Sequence, residues 1–213
     1  MKRLVIVLLF FIVAFSNKNL SAAIFSGVYI APKINFKHEA LNKTNRLELG
    51  KLPFLEKNNY IGGGFAVGYD LFRKTRLVPL RFDIEYMFQG VINKNDTWMQ
   101  SIMASIYYDI NIFFVRNNEL DNLTTRALYN RIPNMSIYFG LSFGNRLYQM
   151  YHNYTDTIGK ALITRSSFAF GINAGLAYNI LDWFAVDLGY RYLLGFGFHD
   201  AHEVLLGARF TIR

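Results

Sequence analysis

The chain contains no cysteine. That absence excludes a disulfide framework and excludes anchoring through a lipid-modified thiol. Long apolar runs are missing as well. The longest, from Leu4 to Phe15, falls short of the roughly 18–20 residues that a helix needs to cross a hydrocarbon layer about 30 Å thick. Charge is scarce at 18% against 52% hydrophobic residues, and the formal excess of +8 is spread along the chain. A scattered excess of this kind gives no basic helix or patch, so nucleic acid is excluded as a partner. Amphipathic helices of useful length are also absent. The segment ELDNLTTRALYN, 119 to 130, has the pattern of a short helix between strands.

What is present begins with an export signal. Lys2 and Arg3 precede the apolar stretch, and polar residues follow up to Ser21, Ala22 and Ala23. This order predicts a signal peptide over 1–23, cleaved near Ala22 or Ala23, followed by one domain over 24–213. Losing Lys2, Arg3 and Lys18 lowers the formal charge from +8 to +5.

Almost all of the remaining chain alternates. In LRFDIEYMFQ, residues 80 to 89, one side carries Leu80, Phe82, Ile84, Tyr86 and Phe88 and the other Arg81, Asp83, Glu85, Met87 and Gln89. A period of two is a β-strand. Eight such segments of about ten residues follow one another, near 25–36, 61–72, 78–89, 98–110, 135–146, 166–180, 183–194 and 201–212. Ten residues is the length of a tilted strand crossing a bilayer. One face of these segments is large and apolar, with Phe65, Val67, Ile102, Phe139, Leu141, Phe168, Ile172 and Leu188. The other is small or charged, with Gly64, Gly68, Ser101, Gly140, Gly171, Gly189 and Gly207.

Volume decides which face is inside. An eight-stranded barrel is only just wide enough to be filled by side chains, so it cannot take a large apolar residue from every strand. The bulky face must point outward, where lipid accepts it and water does not. The expected fold is therefore all-β, an eight-stranded antiparallel up-and-down transmembrane β-barrel. A soluble calyx would need the reverse arrangement.

The second, fourth and sixth segments end alike, in Tyr69-Asp70-Leu71, Tyr108-Asp109-Ile110 and Tyr178-Asn179-Ile180. Alternate strands end at the same membrane face, so Tyr69, Tyr108 and Tyr178, with Trp183 and Phe184 opening the seventh strand, predict an aromatic girdle at the periplasmic interface. Tyr86, Phe88, Trp98, Tyr190 and Tyr192 would form the opposite girdle. The outer connections are then 37–60, 90–97, 147–165 and 195–200, two of them long. The long segment 111–134 on the inner side has no counterpart in this scheme.

Inward-facing charges are expected to form an ion-pair network of Lys33, Asp70, Arg81, Asp83, Glu85, Asp109, Asp187, Arg191, Glu203 and Arg209. Charges in so narrow a space are tolerated when paired. The alternative is a narrow polar pathway for ions or small solutes. His199 and His202, three apart on an extended strand, point to opposite faces and cannot together hold a metal. His202 also lies opposite Glu203 with no serine beside it, which argues against a lipid-modifying enzyme. No metal, cofactor or catalytic residue is expected. In the outer loop 147–165 and the residues just before it, Arg146, Tyr148, Tyr151, His152 and Tyr154 interleave cations with aromatics, the composition of a contact surface for sugars or anionic polymers.

With the strands in place, GGGFAVGYDLFRKTRLVPLRFDIEYMF, MASIYYDI, SIYFGLSFG, WFAVDLGYRY and HEVLLGARF resemble the opacity-protein and OmpA-type family of eight-stranded outer-membrane barrels. The resemblance implies a porin-like surface protein of a Gram-negative cell, an adhesin, antigen or envelope-stabilising barrel without enzymatic activity. Its implied partners are outer-membrane lipid and lipopolysaccharide, the outer-membrane assembly machinery, and a host or extracellular ligand at the loops. Barrels of that family finish on an aromatic residue, normally Phe, whereas Ile212 holds the equivalent outward position here and Arg213 follows.

Overall fold

The structure, a computed structural model, describes residues 26–41, 59–92, 97–113, 133–154, 159–195 and 199–212. The signal peptide, its cleavage point and the helix expected over 119–130 lie outside these residues. Within them the chain forms β1 (Val28–Leu41), β2 (Asn59–Asp70), a short helix α1 (Leu71–Thr75), β3 (Leu80–Val91), β4 (Thr97–Ile112), β5 (Met135–Tyr154), β6 (Gly159–Leu181), β7 (Phe184–Gly195) and β8 (His199–Thr211). Each strand pairs antiparallel with the next, and β8 returns to β1, so the sheet is a closed eight-stranded barrel. Around the closed part of the barrel every strand has a partner on both sides, which is what a sheet requires in a medium that offers no hydrogen bonds.

The faces sort as volume demands. Phe82, Ile84 and Phe139 are 40%, 64% and 52% exposed, whereas Arg81 and Glu85, which alternate with the first two on β3, are 4% and 0% exposed. A wall of Ile, Phe, Leu and Val facing outward is stable only against hydrocarbon. Tyr and Met depart from the rule that bulk faces out: Tyr29, Tyr107, Tyr138, Met87, Met99 and Met103 are buried inside. Glycine makes the room. A Cβ at Gly68 would stand 2.3 Å from Cζ of Tyr29, and one at Gly189 would stand 2.5 Å from the Tyr138 hydroxyl.

Several strands outrun their expected ends. β1 continues through Lys37 and Glu39, and β5 and β6 run 20 and 23 residues. Residues 37–41 and 59–60 of the segment 37–60, and most of 147–165, are therefore strand and not loop, because the inward parity set by Lys33 and Asn35 carries on to Lys37 and Glu39, and that of Gly144 carries on to Arg146 and Tyr148. Among the described residues, 159–168 of β6 lie beyond its last pair with β7, Ala169 with Gly195, and pair with β5 alone. This ribbon marks the upper end of the barrel. At the lower end α1 joins β2 to β3, and Asp182 and Trp183 form the turn into β7, so Trp183 precedes the strand. The Asp70 side chain caps α1 by accepting from the Arg73 amide, and Arg76 ends it in the left-handed region at φ 59°.

Candidate functional site in the barrel lumen

Alternation delivers the charged side chains of seven strands to one axis, where they form three linked layers. In the lowest, the Arg81 guanidinium lies 3.3 Å from Asp109 and 3.9 Å from Asp187, and Arg209 stands 3.4 Å from the same Asp187 oxygen. Aromatic faces complete the shell of Arg81, with the rings of Tyr107 and Tyr138 4.6 and 4.8 Å away. A guanidinium over a ring face is attracted by its quadrupole, more so once water is gone.

The middle layer centres on Glu85. Arg191 donates to both of its oxygens at 2.7 and 3.1 Å, and the Lys33 ammonium reaches it at 2.6 Å. Arg191 also donates through Nε to Asn173, whose amide donates to Ser142, which meets Ser105 at 2.8 Å. A paired, fully hydrogen-bonded set of this kind offsets the several kcal/mol per ion that desolvation costs. Asp83 ties this layer to the lowest one, accepting from both Lys33 and the Tyr29 hydroxyl.

The upper layer extends beyond the expected network. Lys37 and Glu39 pair at 2.7 Å, both fully enclosed, with Arg146 3.6 Å from Glu39 and the Tyr148 hydroxyl donating to it at 2.8 Å. Glu203 links it downward, 3.4 Å from Arg191 and 4.0 Å from Lys37. Arg146 and Tyr148 are thus corrected from surface contact residues to lumen residues. Of the other expected contact residues, Tyr151, His152 and Tyr154 lie in β5, and their side chains fall outside the described set. All ten of the expected network residues point inward or sit at the lower mouth. Asp70 is the outlying one, paired with Arg73 of α1 at 3.4 Å.

Arg73 also closes the lower mouth, donating to the Asp182 carbonyl and, at 2.8 Å, to Asn179 Oδ1. Burial, reinforced by the nearby Arg209, lowers its pKa to about 10, so it stays cationic at neutral pH. Two small voids lie among the described lumen residues. One of about 20 Å³ lies between Tyr138 and Arg191, and one of about 10 Å³ lies beside Arg73. The first has room for a single water. Among the described residues no group of three or more metal-ligating side chains converges.

The residues expected to form the lower girdle lie near one end of the outer wall. Tyr69, Tyr108 and Tyr178 lie at the lower ends of β2, β4 and β6, and Trp183 and Phe184 cluster with Phe210 at ring distances of 6.2 and 5.1 Å. The upper girdle is part polar. Tyr86 donates to Gln100, and both Gln100 and Trp98 donate to Gln149. Amphipathic groups of this kind settle at a membrane interface.

No protein-family model matches the sequence, and no curated protein does. Solved structures do. Neisserial surface protein A, at 16% identity, is matched over 88% of this chain and 98% of its own, with a TM-score of 0.58. This chain has the fold of the eight-stranded outer-membrane surface barrels. Ail, the attachment invasion locus protein of Yersinia pestis, is matched over 87% of this chain and 99% of its own at 15% identity, with a TM-score of 0.49.

Proposed function

We propose that the protein is a non-enzymatic outer-membrane surface barrel that binds an extracellular partner, as an adhesin or antigen, through its upper end. The observation that carries this reading is the β5–β6 ribbon. Beyond Met150, whose other partner is Thr97 of β4, residues 151–154 and 159–162 pair only with each other among the described residues, which at about 3.4 Å per residue is roughly 14 Å along the strands. In the orientation set by the tyrosine girdle this ribbon stands on the cell exterior. Tyr151, His152 and Tyr154 lie on it, a composition suited to sugars and anionic polymers. The ion pairs packed across the described lumen favour a scaffold over the alternative reading as a small-solute channel. The surface protein of Neisseria with the same fold lends the reading general support.

Replacing residues 151–162 by an Asn-Gly turn tests it, since the pair Met150 and Ile163 is where a two-residue hairpin would close. The shortened protein should still migrate as a heat-modifiable barrel and should lose adhesion of expressing cells to host-cell and matrix-coated surfaces. Undiminished adhesion would refute the assignment to this ribbon. In planar bilayers the intact barrel should give no steady conductance, and stepwise currents would favour the channel instead.

A further inference from the structure

One polar cluster on the outer wall plays no part in the lumen network or the ribbon. β1 and β8, first and last in the chain, close the barrel, and near their upper end His38 stands directly opposite His202. Both project outward, His38 in phase with Ile34 and Phe36 and His202 in phase with Val204 and Leu206. Directly opposed residues on antiparallel strands hold their Cβ atoms about 4.5–5.5 Å apart. Two imidazoles on such a pair can meet at one point.

Each ring is oriented by a neighbour. His38 Nδ1 lies 2.6 Å from Asn59 Oδ1, and His202 Nδ1 lies 2.5 Å from the Tyr190 hydroxyl, with the Tyr192 ring 5.1 Å from the His202 ring. Since a carboxamide oxygen only accepts, His38 carries its proton on Nδ1 and presents the lone pair of Nε2. His202 does the same in the tautomer whose Nδ1 donates to Tyr190. That wiring, one ring nitrogen held by an oxygen and the other left for an ion, is how proteins prepare histidine as a metal ligand. Asp200, two residues along the same face, is fixed by the Tyr192 hydroxyl at 3.2 Å and the Gly195 amide at 3.3 Å, and adds negative charge nearby.

We propose that His38 and His202 form a two-imidazole site for a borderline divalent cation, Zn²⁺, Cu²⁺ or Ni²⁺, which clips the first strand of the barrel to the last. Imidazole selects these ions over Ca²⁺ and Mg²⁺, at nitrogen–metal distances of about 2.0–2.1 Å for zinc. Because no third imidazole, thiol or carboxylate converges there among the described residues, water fills the other positions. A ligand that binds only the closed barrel stabilises it by mass action. The site is independent of the function proposed for the ribbon.

The test uses the full barrel folded in detergent. Titration calorimetry with ZnCl₂ should give one saturable site, absent with CaCl₂ or MgCl₂. His38→Asn and His202→Asn should each weaken it at least tenfold, and the double variant should abolish it. A His152→Asn, His199→Asn control, removing the chain's other two histidines, should bind like the parent. With Cu²⁺, paramagnetic resonance should show coupling to two imidazole nitrogens, and Zn²⁺ should raise the temperature at which the folded gel band converts to the unfolded one, in the parent and the control alone. No zinc binding by the parent, undiminished binding by the double variant, or copper coupled to fewer than two imidazoles would overturn the proposal.

Discussion

Arg191 and Glu85, 106 residues apart in sequence, face each other in the lumen through two N–H···O bonds of 2.7 and 3.1 Å. Both are buried, and Lys33 shares the same carboxylate. Removing Glu85 leaves two enclosed cations short of a counter-charge. Glu85→Ala should therefore cost about 3–5 kcal/mol, measured by urea unfolding of the barrel in lipid vesicles. The double change Glu85→Leu, Arg191→Met should cost less than the single one, because Lys33 keeps Asp83 and Glu203 keeps Lys37. A double variant weaker than the single would argue that the pair contributes net stability.

Gly189 and Tyr138 are fitted to each other. An alanine methyl at 189 would stand 2.5 Å from the Tyr138 hydroxyl and no closer than 3.6 Å to anything else. Gly189→Ala should cost about 1–3 kcal/mol through overpacking. Adding Tyr138→Phe, which deletes the clashing oxygen, should restore most of the loss in the same unfolding assay.

The lower mouth depends on Arg73. It bridges Asp70, Asn179 and the turn at Asp182, and hydrogen bonds from charged groups are worth about 1.5–3 kcal/mol. In Arg73→Ala, amide hydrogen exchange should speed up around residues 179–183 while the middle of β6 and β7 keeps its protection.

The upper layer predicts a contrast along the β5–β6 pair. Arg146 is enclosed, whereas Leu162 on the ribbon is 47% exposed. On intact cells a membrane-impermeant maleimide should label Leu162→Cys and leave Arg146→Cys unlabelled. The chain has no native cysteine to confuse the result.

The barrel was legible because its signal is carried in volume and parity, which survive without any knowledge of contacts. LRFDIEYMFQ sorts its side chains correctly by itself, and the tyrosines at 69, 108 and 178 fall at the same end of the barrel, as their shared pattern implies. Strand ends were harder. At Lys37 and Glu39, and again at Arg146 and Tyr148, charge and aromatic content suggested a loop, although the alternation of the preceding strand already assigned these residues to the lumen. Continuing the parity past the first polar residue would have found the upper layer. Inward Tyr29 was missed for another reason: the glycine that admits it, Gly68, lies on another strand, and only the register brings the two opposite. The pairing of His38 with His202 is likewise a product of barrel closure. No local pattern contains it.

The central claim is that the bulky faces of the strands meet hydrocarbon while the charged faces close the lumen. Spin labels on single cysteines at Ile84, Phe139, Glu85 and Ser142, in barrels reconstituted into lipid vesicles, test it most directly through collision with oxygen, which dissolves in lipid, and with a water-soluble nickel chelate. Labels at 84 and 139 should collide strongly with oxygen and weakly with the chelate, and labels at 85 and 142 weakly with both. Strong chelate collision at 84 and 139 would contradict the account, and at 85 and 142 it would contradict the sealed lumen.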